Sequence, residues 1–217
     1  MASGINGSRR RLMVFLAAVI GVAAFYLVRF VGPYLSFDPA YYEYFWPWRY
    51  ALWAHLTGGF IAVLTGPVQL WLGMTQRHIP LHRALGKVYL GAAILGLSGA
   101  YYLVTQEIRT DWVFASGLLG LALAWTLTTG LAYYAIRQKD VSQHRDWMIR
   151  SYVVAFSFVF FRVFIDVVHS LGIQSPKGTA TGEEYKLAAW LCWVVPLLFA
   201  EPFIQWRHMR RAYVGGR

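Results

Sequence analysis

The sequence predicts an all-α, polytopic integral membrane protein: a bundle of about six transmembrane helices with both termini cytoplasmic. Charged residues are only 14% of the 217-residue chain, where soluble domains carry roughly 25%, and aromatics reach 18%. Apolar stretches recur at lengths that cross a bilayer, and basic residues cluster at alternate ends of those stretches. A soluble domain this apolar would expose large sticky patches. A disordered chain would lack its aromatics and aliphatics. The single cysteine, Cys192, excludes an intramolecular disulfide and a thiolate metal cluster.

A hydrocarbon core about 30 Å thick takes ~20 mostly apolar residues per helix. Residues 12–33, 51–73, 88–106, 113–136, 148–170 and 187–206 meet that length. The runs are solid rather than alternating, so each reads as a helix and not as a barrel strand. The first follows Ser8-Arg9-Arg10-Arg11-Leu12, a string similar to a twin-arginine export signal. Its apolar stretch is long for a signal peptide and no small-x-small site closes it, so it reads as an uncleaved helix.

Between the first two spans, Phe37, Tyr41, Tyr42, Tyr44, Phe45, Trp46, Trp48 and Tyr50 suit the headgroup belt. A lid over an outer site is the functional alternative for that segment. The second span carries Gly66-Pro67, and the sixth carries Pro196 and Pro202, all candidates for kinks. Small residues recur every four positions on the third span (Ala92, Gly96, Ala100) and the fourth (Ser116, Gly120, Ala124), which allows close backbone approach. The link between these two spans is short, which predicts an antiparallel hairpin. Residues 172–186 are polar, with Gly and Pro, and read as an exposed connection.

The chain carries 20 Lys and Arg against 10 Asp and Glu, a net +10. Fourteen of the basic residues fall in the N-terminal tail, the loops after the second and fourth spans, and the C-terminal tail. Only Arg49, Arg109, Lys177 and Lys186 fall in the opposite loops, where Asp38, Glu43, Glu107, Asp111, Glu183 and Glu184 also lie. Positive charge stays cytoplasmic, which orients the bundle. The organisation is a basic tail over residues 1–11, a six-helix domain over 12–206 and a second basic tail over 207–217. Charge distributed in this way serves topology, and a nucleic-acid partner is excluded as its explanation.

Ionisable groups at membrane depth cost at least ~2.5 kcal/mol each when exposed to lipid, so they mark function or internal pairing. On the fifth span Arg162, Asp166 and His169 share one helical face through spacings of four and three. They read either as an Arg162–Asp166 ion pair or as a polar pocket in which Arg162 binds an anionic or carbonyl group. Glu201, before Pro202, reads as a partner for a basic residue or as a proton carrier.

The histidines suggest haem, whose iron takes imidazoles from two helices in transmembrane cytochromes. His55 with His169 would form an outer pair, and His82 with His144 an inner one. His144 and His169 lie 25 residues apart, or about 37 Å on a straight helix, so one of them sits at an interface. His78 and His82 have the spacing of a helical metal pair, but Pro80 between them argues against that site. Both inner loops place a His-Arg pair about two turns before a tyrosine, a basic setting for a lipid headgroup, haem propionates or a quinone. Asp146 and Arg150, four apart, can stabilise their own helix start.

Three strings occur in order: Gly66-Pro67-Val68-Gln69, then His82-Arg83-Ala84-Leu85-Gly86-Lys87-Val88-Tyr89, then His144-Arg145-Asp146-Trp147-Met148-Ile149-Arg150-Ser151-Tyr152. With His55 they resemble the bacterial predicted-membrane-protein family called domain of unknown function 2306, over about residues 51–206. The resemblance implies a multi-pass protein of the bacterial cytoplasmic membrane. It makes His55, His82, Arg83, His144, Arg145 and Arg150 the preferred site positions, whereas His169 lies in no matched motif. Three functions follow as expectations. One is an electron-transfer protein binding haem b or a quinone, with His55, His82 and His144 as the ligand candidates. Another is a non-catalytic subunit that docks lipid or a membrane protein partner. The third is a small-solute or proton transporter using Arg162, Asp166 and Glu201.

Overall fold

The computed structural model describes residues 2–175 and 182–215, and within them every regular element is helical. Helix α1 (Ala2–Phe30) ends in the 3-10 turn Gly32–Ser36. A short α2 (Pro39–Tyr42) and a second 3-10 turn, Glu43–Trp48, lead into α3 (Arg49–Thr75). Then follow α4 (Ile79–Glu107), α5 (Trp112–Arg137), α6 (Val141–Ala155), α7 (Ser157–Ser170) and α8 (Glu183–Gly215). The expected connection over 172–186 falls partly on residues 176–181, which lie outside the described residues, as does Arg217.

Local chemistry sets the helix starts. Asp111 Oδ1 accepts from Val113 N–H (3.1 Å) and Phe114 N–H (3.0 Å), and Asp140 Oδ1 accepts from Gln143 N–H (3.0 Å). These bonds satisfy amides that a helix N-terminus leaves without partners. Between α3 and α4 the chain reverses through Gln76 (φ 53°) and His78 (φ 48°), both left-handed. Pro80 then occupies the first turn of α4, where its missing N–H costs nothing. His78 therefore lies before the helix and shares no helical face with His82. The prolines at 67, 196 and 202 are accommodated inside helices that continue past them.

Segments Pro39–Thr75, Ile79–Glu107, Trp112–Arg137 and Glu183–Arg210 are long and apolar enough to cross a membrane. The α6–α7 pair adds a fifth span if its two halves, bent by 42°, count as one. At that break the bonding tightens to 3-10 spacing, with Val159 N–H donating to the Phe156 carbonyl (3.0 Å). The described apolar part of α1, Ala17–Phe30, is shorter than a span. Among the described residues length and apolarity thus establish four or five spans, and the sixth expected from the sequence, at α1, is not among them.

The small-residue stripes do permit close approach, each to a different helix. The stripe of α4 faces α3 instead of α5: a Cβ on Gly58 would lie 2.3 Å from Gly96 N and 2.4 Å from the Ala92 carbonyl. On α5, Gly120 faces Trp193 of α8, and Gly117 faces Ala189. Helices α4 and α5 do pack as neighbours, with Tyr101 and Thr126 sharing a hydrogen bond of 2.8 Å. Spacing identifies a stripe that permits close approach without saying which helix fills it. The aromatic segment folds on itself: Tyr42 is buried beneath Tyr34, Phe37 and Trp46, and donates to the Tyr34 carbonyl (2.9 Å).

Candidate functional site

One end of the bundle gathers the start of α4, the start of α6 and the far ends of α3, α5 and α8. The three sequence strings meet there. Gln69, 4% exposed, donates from Nε2 to the His82 carbonyl (2.8 Å) and fastens α3 to the first turn of α4. Gly66 lacks the Cβ that would lie 2.0 Å from the Tyr152 ring, so the ring rests directly on α3. The Tyr152 hydroxyl donates to the Val63 carbonyl (3.2 Å). Tyr89 and Ser151 share a hydrogen bond of 2.8 Å, and Ser151 shares another of 2.7 Å with Thr129. Trp125 Nε1–H donates to the Tyr89 hydroxyl (3.2 Å). Every hydroxyl in this buried chain has a partner, as burial requires.

Trp125 and Thr129 lie in none of the strings. A tryptophan or threonine inside an apolar span reads as packing, and only the fold shows that α5 completes the network.

His144 Nδ1 lies 2.9 Å from the Ala132 carbonyl. A carbonyl can only accept, so Nδ1 carries a proton and Nε2 is the ring nitrogen left to meet a ligand. His55 repeats the arrangement, with Nδ1 3.2 Å from the Gly96 carbonyl. A hydrogen bond of this kind on one ring nitrogen is what orients an imidazole that ligates a metal through the other. His82 packs against Gly73. Its Nδ1 is buried without a hydrogen-bond partner, and His144 lies within electrostatic range.

The inner histidines thus lie on one end of the bundle, within electrostatic range of each other. The outer ones take separate partners: His55 faces α4, while His169 Nε2 sits 3.5 Å from Glu184 Oε1 on α8. Among the described residues no group of three or more His, Cys, Asp or Glu is placed to hold a metal ion. A site for iron would therefore need a ligand that supplies most of the coordination itself, as a porphyrin does.

Two clusters of polar and charged residues at this end bridge helices. Arg150 grips Glu201 with Nε to Oε1 at 2.5 Å and Nη2 to Oε2 at 2.8 Å, and its guanidinium lies 4.5 Å from the Trp147 ring centroid. Asp146, 2% exposed, accepts from Arg207 and from His208, the latter at 2.5 Å. The two therefore clamp α6 to α8 separately, rather than spending their hydrogen bonds on each other within α6. Glu201 acts as a partner for a basic residue, the first of its two expected roles. Arg83 is exposed at the start of α4, and Arg145 is half-buried on α6.

At the opposite end Arg162 rests 4.4 Å from the Phe30 centroid, with Phe158 and Phe161 each at 5.6 Å. Asp166 accepts instead from Tyr26 of α1 (2.8 Å), and the expected Arg162–Asp166 ion pair does not form. Glu201 lies apart from both, at the basic end, where its partner is Arg150.

A family model described as predicted membrane protein (DUF2306) matches residues 52–204. The chain belongs to this family. All three strings of this DUF2306 protein lie inside the match, with His55, Arg162, Asp166, His169 and Glu201, while Tyr26, Phe30, Arg207 and His208 lie outside it. The protein is thus a membrane protein with several apolar helices in a lipid environment. No curated protein and no solved structure matches it.

Proposed function

We propose that this DUF2306 protein is a six-span electron-transfer protein of the bacterial cytoplasmic membrane, with both termini in the cytoplasm. On this reading it binds haem b at its basic end, with His82 and His144 as iron ligands and a quinone or a membrane protein as redox partner. The observation that carries the reading is two imidazoles at one end of the bundle, within electrostatic range of each other. His144 is oriented through Nδ1 by the Ala132 carbonyl, which leaves Nε2 for a ligand, and the buried Nδ1 of His82 has no hydrogen-bond partner among the described residues. Bound haem would supply a one-electron centre. The chain's part is to hold the two rings, to exclude water with the Tyr89–Ser151–Thr129 chain, and to place Arg83 and Arg145 near propionate charge. His55, similarly oriented on α3, is a third ligand candidate.

The test is an absorption spectrum of the full chain, purified in detergent from cells with adequate haem. A Soret band is expected, and it should vanish or shift in His82→Ala and in His144→Ala. Absence of the band in the parent protein rejects haem. A band unchanged in His82→Ala, His144→Ala and His55→Ala rejects all three ligands.

A second reading, a non-catalytic subunit, draws on the Arg150–Glu201 and Asp146–Arg207 clamps, which make this end a rigid surface. A spectrum without haem, together with recovery of a stoichiometric membrane partner, would favour it.

A further inference from the structure

We infer that the end of the bundle opposite the histidine site carries an oxyanion-binding site built from Arg29, Arg162 and Phe30, suited to the phosphate of an anionic lipid. Phe30 closes α1, and its ring has two guanidiniums against it: Arg162 at 4.4 Å and Arg29 at 5.3 Å. Two cations on one ring gain cation–π attraction but repel each other. Neither has a carboxylate within 4 Å among the described residues. The nearest acid on the same helix face, Asp166, has its carboxylate engaged by Tyr26.

Arg162 is also short of a hydrogen-bond acceptor, because its Nε is buried without one. A guanidinium presents a planar fork that matches two oxygens of a phosphate or carboxylate. A buried donor left without a partner costs about 1–3 kcal/mol, and an oxyanion in the fork would relieve it. Asp166 and the phenols of Tyr34 and Tyr185 lie within electrostatic range of Arg162, and the phenols are the groups among them able to donate to an oxyanion.

Around the site the surroundings point to an amphiphile. Phe25 and Val28 beside Arg29 are exposed apolar groups, and they line a shallow depression with Ala24 and Arg29. In a bilayer such a surface meets acyl chains, while Arg29, itself exposed, reaches the headgroup level. Phosphate charge would fall between the two guanidiniums, with its acyl chains along α1.

The test compares short-chain phosphatidylglycerol, phosphatidylcholine of the same chain length, and inorganic phosphate. Each is titrated into delipidated full-length protein in a zwitterionic detergent, and bound molecules are counted by native mass spectrometry. Phosphatidylglycerol should bind at least about tenfold more tightly than phosphatidylcholine, because both carry the phosphate but only phosphatidylcholine brings a choline cation against the two guanidiniums. Arg162→Met should abolish that preference, Arg29→Met should reduce it, and Arg162→Lys should leave an intermediate value.

Competition by inorganic phosphate would support the same site with a soluble anion as its occupant. A parent protein with no headgroup preference overturns the proposal, and so does a folded Arg162→Met that keeps it. If Arg162→Met does not fold, unchanged preference in both Arg29→Met and Arg162→Lys overturns it. The readout involves no haem, so it is independent of the function proposed for the basic end.

Discussion

At the basic end Arg150 is held by both oxygens of Glu201, and Asp146 is shared by Arg207 and His208. At the opposite end Arg162 lies on phenylalanine rings and Asp166 turns away to Tyr26. Both ends place an arginine and an aspartate four residues apart on one helix: Asp146 and Arg150 on α6, Arg162 and Asp166 on α7. Neither pair spends its hydrogen bonds internally. What separates the ends is the neighbour. Helix α8 brings an acid to Arg150, whereas α1 brings rings to Arg162 and a phenol to Asp166. A closed set of charges clamps helices together, while an open one leaves a cation able to take a ligand from outside.

Breaking the closed end should have the largest effect. Asp146→Asn removes the carboxylate that Arg207 and His208 share and is expected to destabilise the detergent-solubilised protein by about 3 kcal/mol. That is the low end for a broken buried ion pair, because Arg207 and His208 keep 17% and 39% side-chain exposure and can recover water. Unfolding by a graded denaturing detergent measures it, and an unchanged midpoint would mean that the clamp contributes nothing. Gly66→Ala comes next. Its added Cβ displaces the Tyr152 ring, at an expected cost of about 1–3 kcal/mol for overpacking. Gly21→Ala on α1, with open space around it, is the matched control and should lose nothing. Equal losses in the two would show that the ring contact is not what holds α3 to α6.

Much of this architecture is legible in the sequence because bilayer thickness dictates it. The spans at α3, α4, α5 and α8 follow from length and apolarity, and the strings around His82 and His144 do converge on one end. Pairing is not legible in the same way. Helical spacing places Arg162 and Asp166 on one face, but Tyr26, 140 positions earlier in the chain, decides which of them is engaged. The stripe Ala92–Gly96 signals close approach, yet nothing in its spacing says that Gly58 is opposite. Trp125 and Thr129 are silent for a related reason: their hydrogen-bonding role exists only once α5 lies against α4 and α6.

The smallest expected effect tests the open end through acid. Asp111 caps α5 and also lies 3.2 Å from the Lys186 ammonium. Partial burial pushes its pKa up, but the Phe114 and Val113 amides and Lys186 outweigh that, so the carboxyl titrates below its ordinary 3.8. A depressed folded-state pKa contributes stability that is present above the unfolded value and lost as pH falls through the folded one. The parent protein should therefore weaken as pH drops below about 4. Asp111→Ala should cost about 1 kcal/mol at neutral pH, the usual loss for an N-cap, and should flatten that part of the acid limb. The Asp146 clamp at the other end should leave this difference untouched, since the two sites share no partner. Unfolding midpoints of Asp111→Ala, Asp146→Asn and the double variant, measured at neutral and at acid pH, check both points. Non-additive losses would mean that the two ends are one coupled unit and not two differently bonded regions.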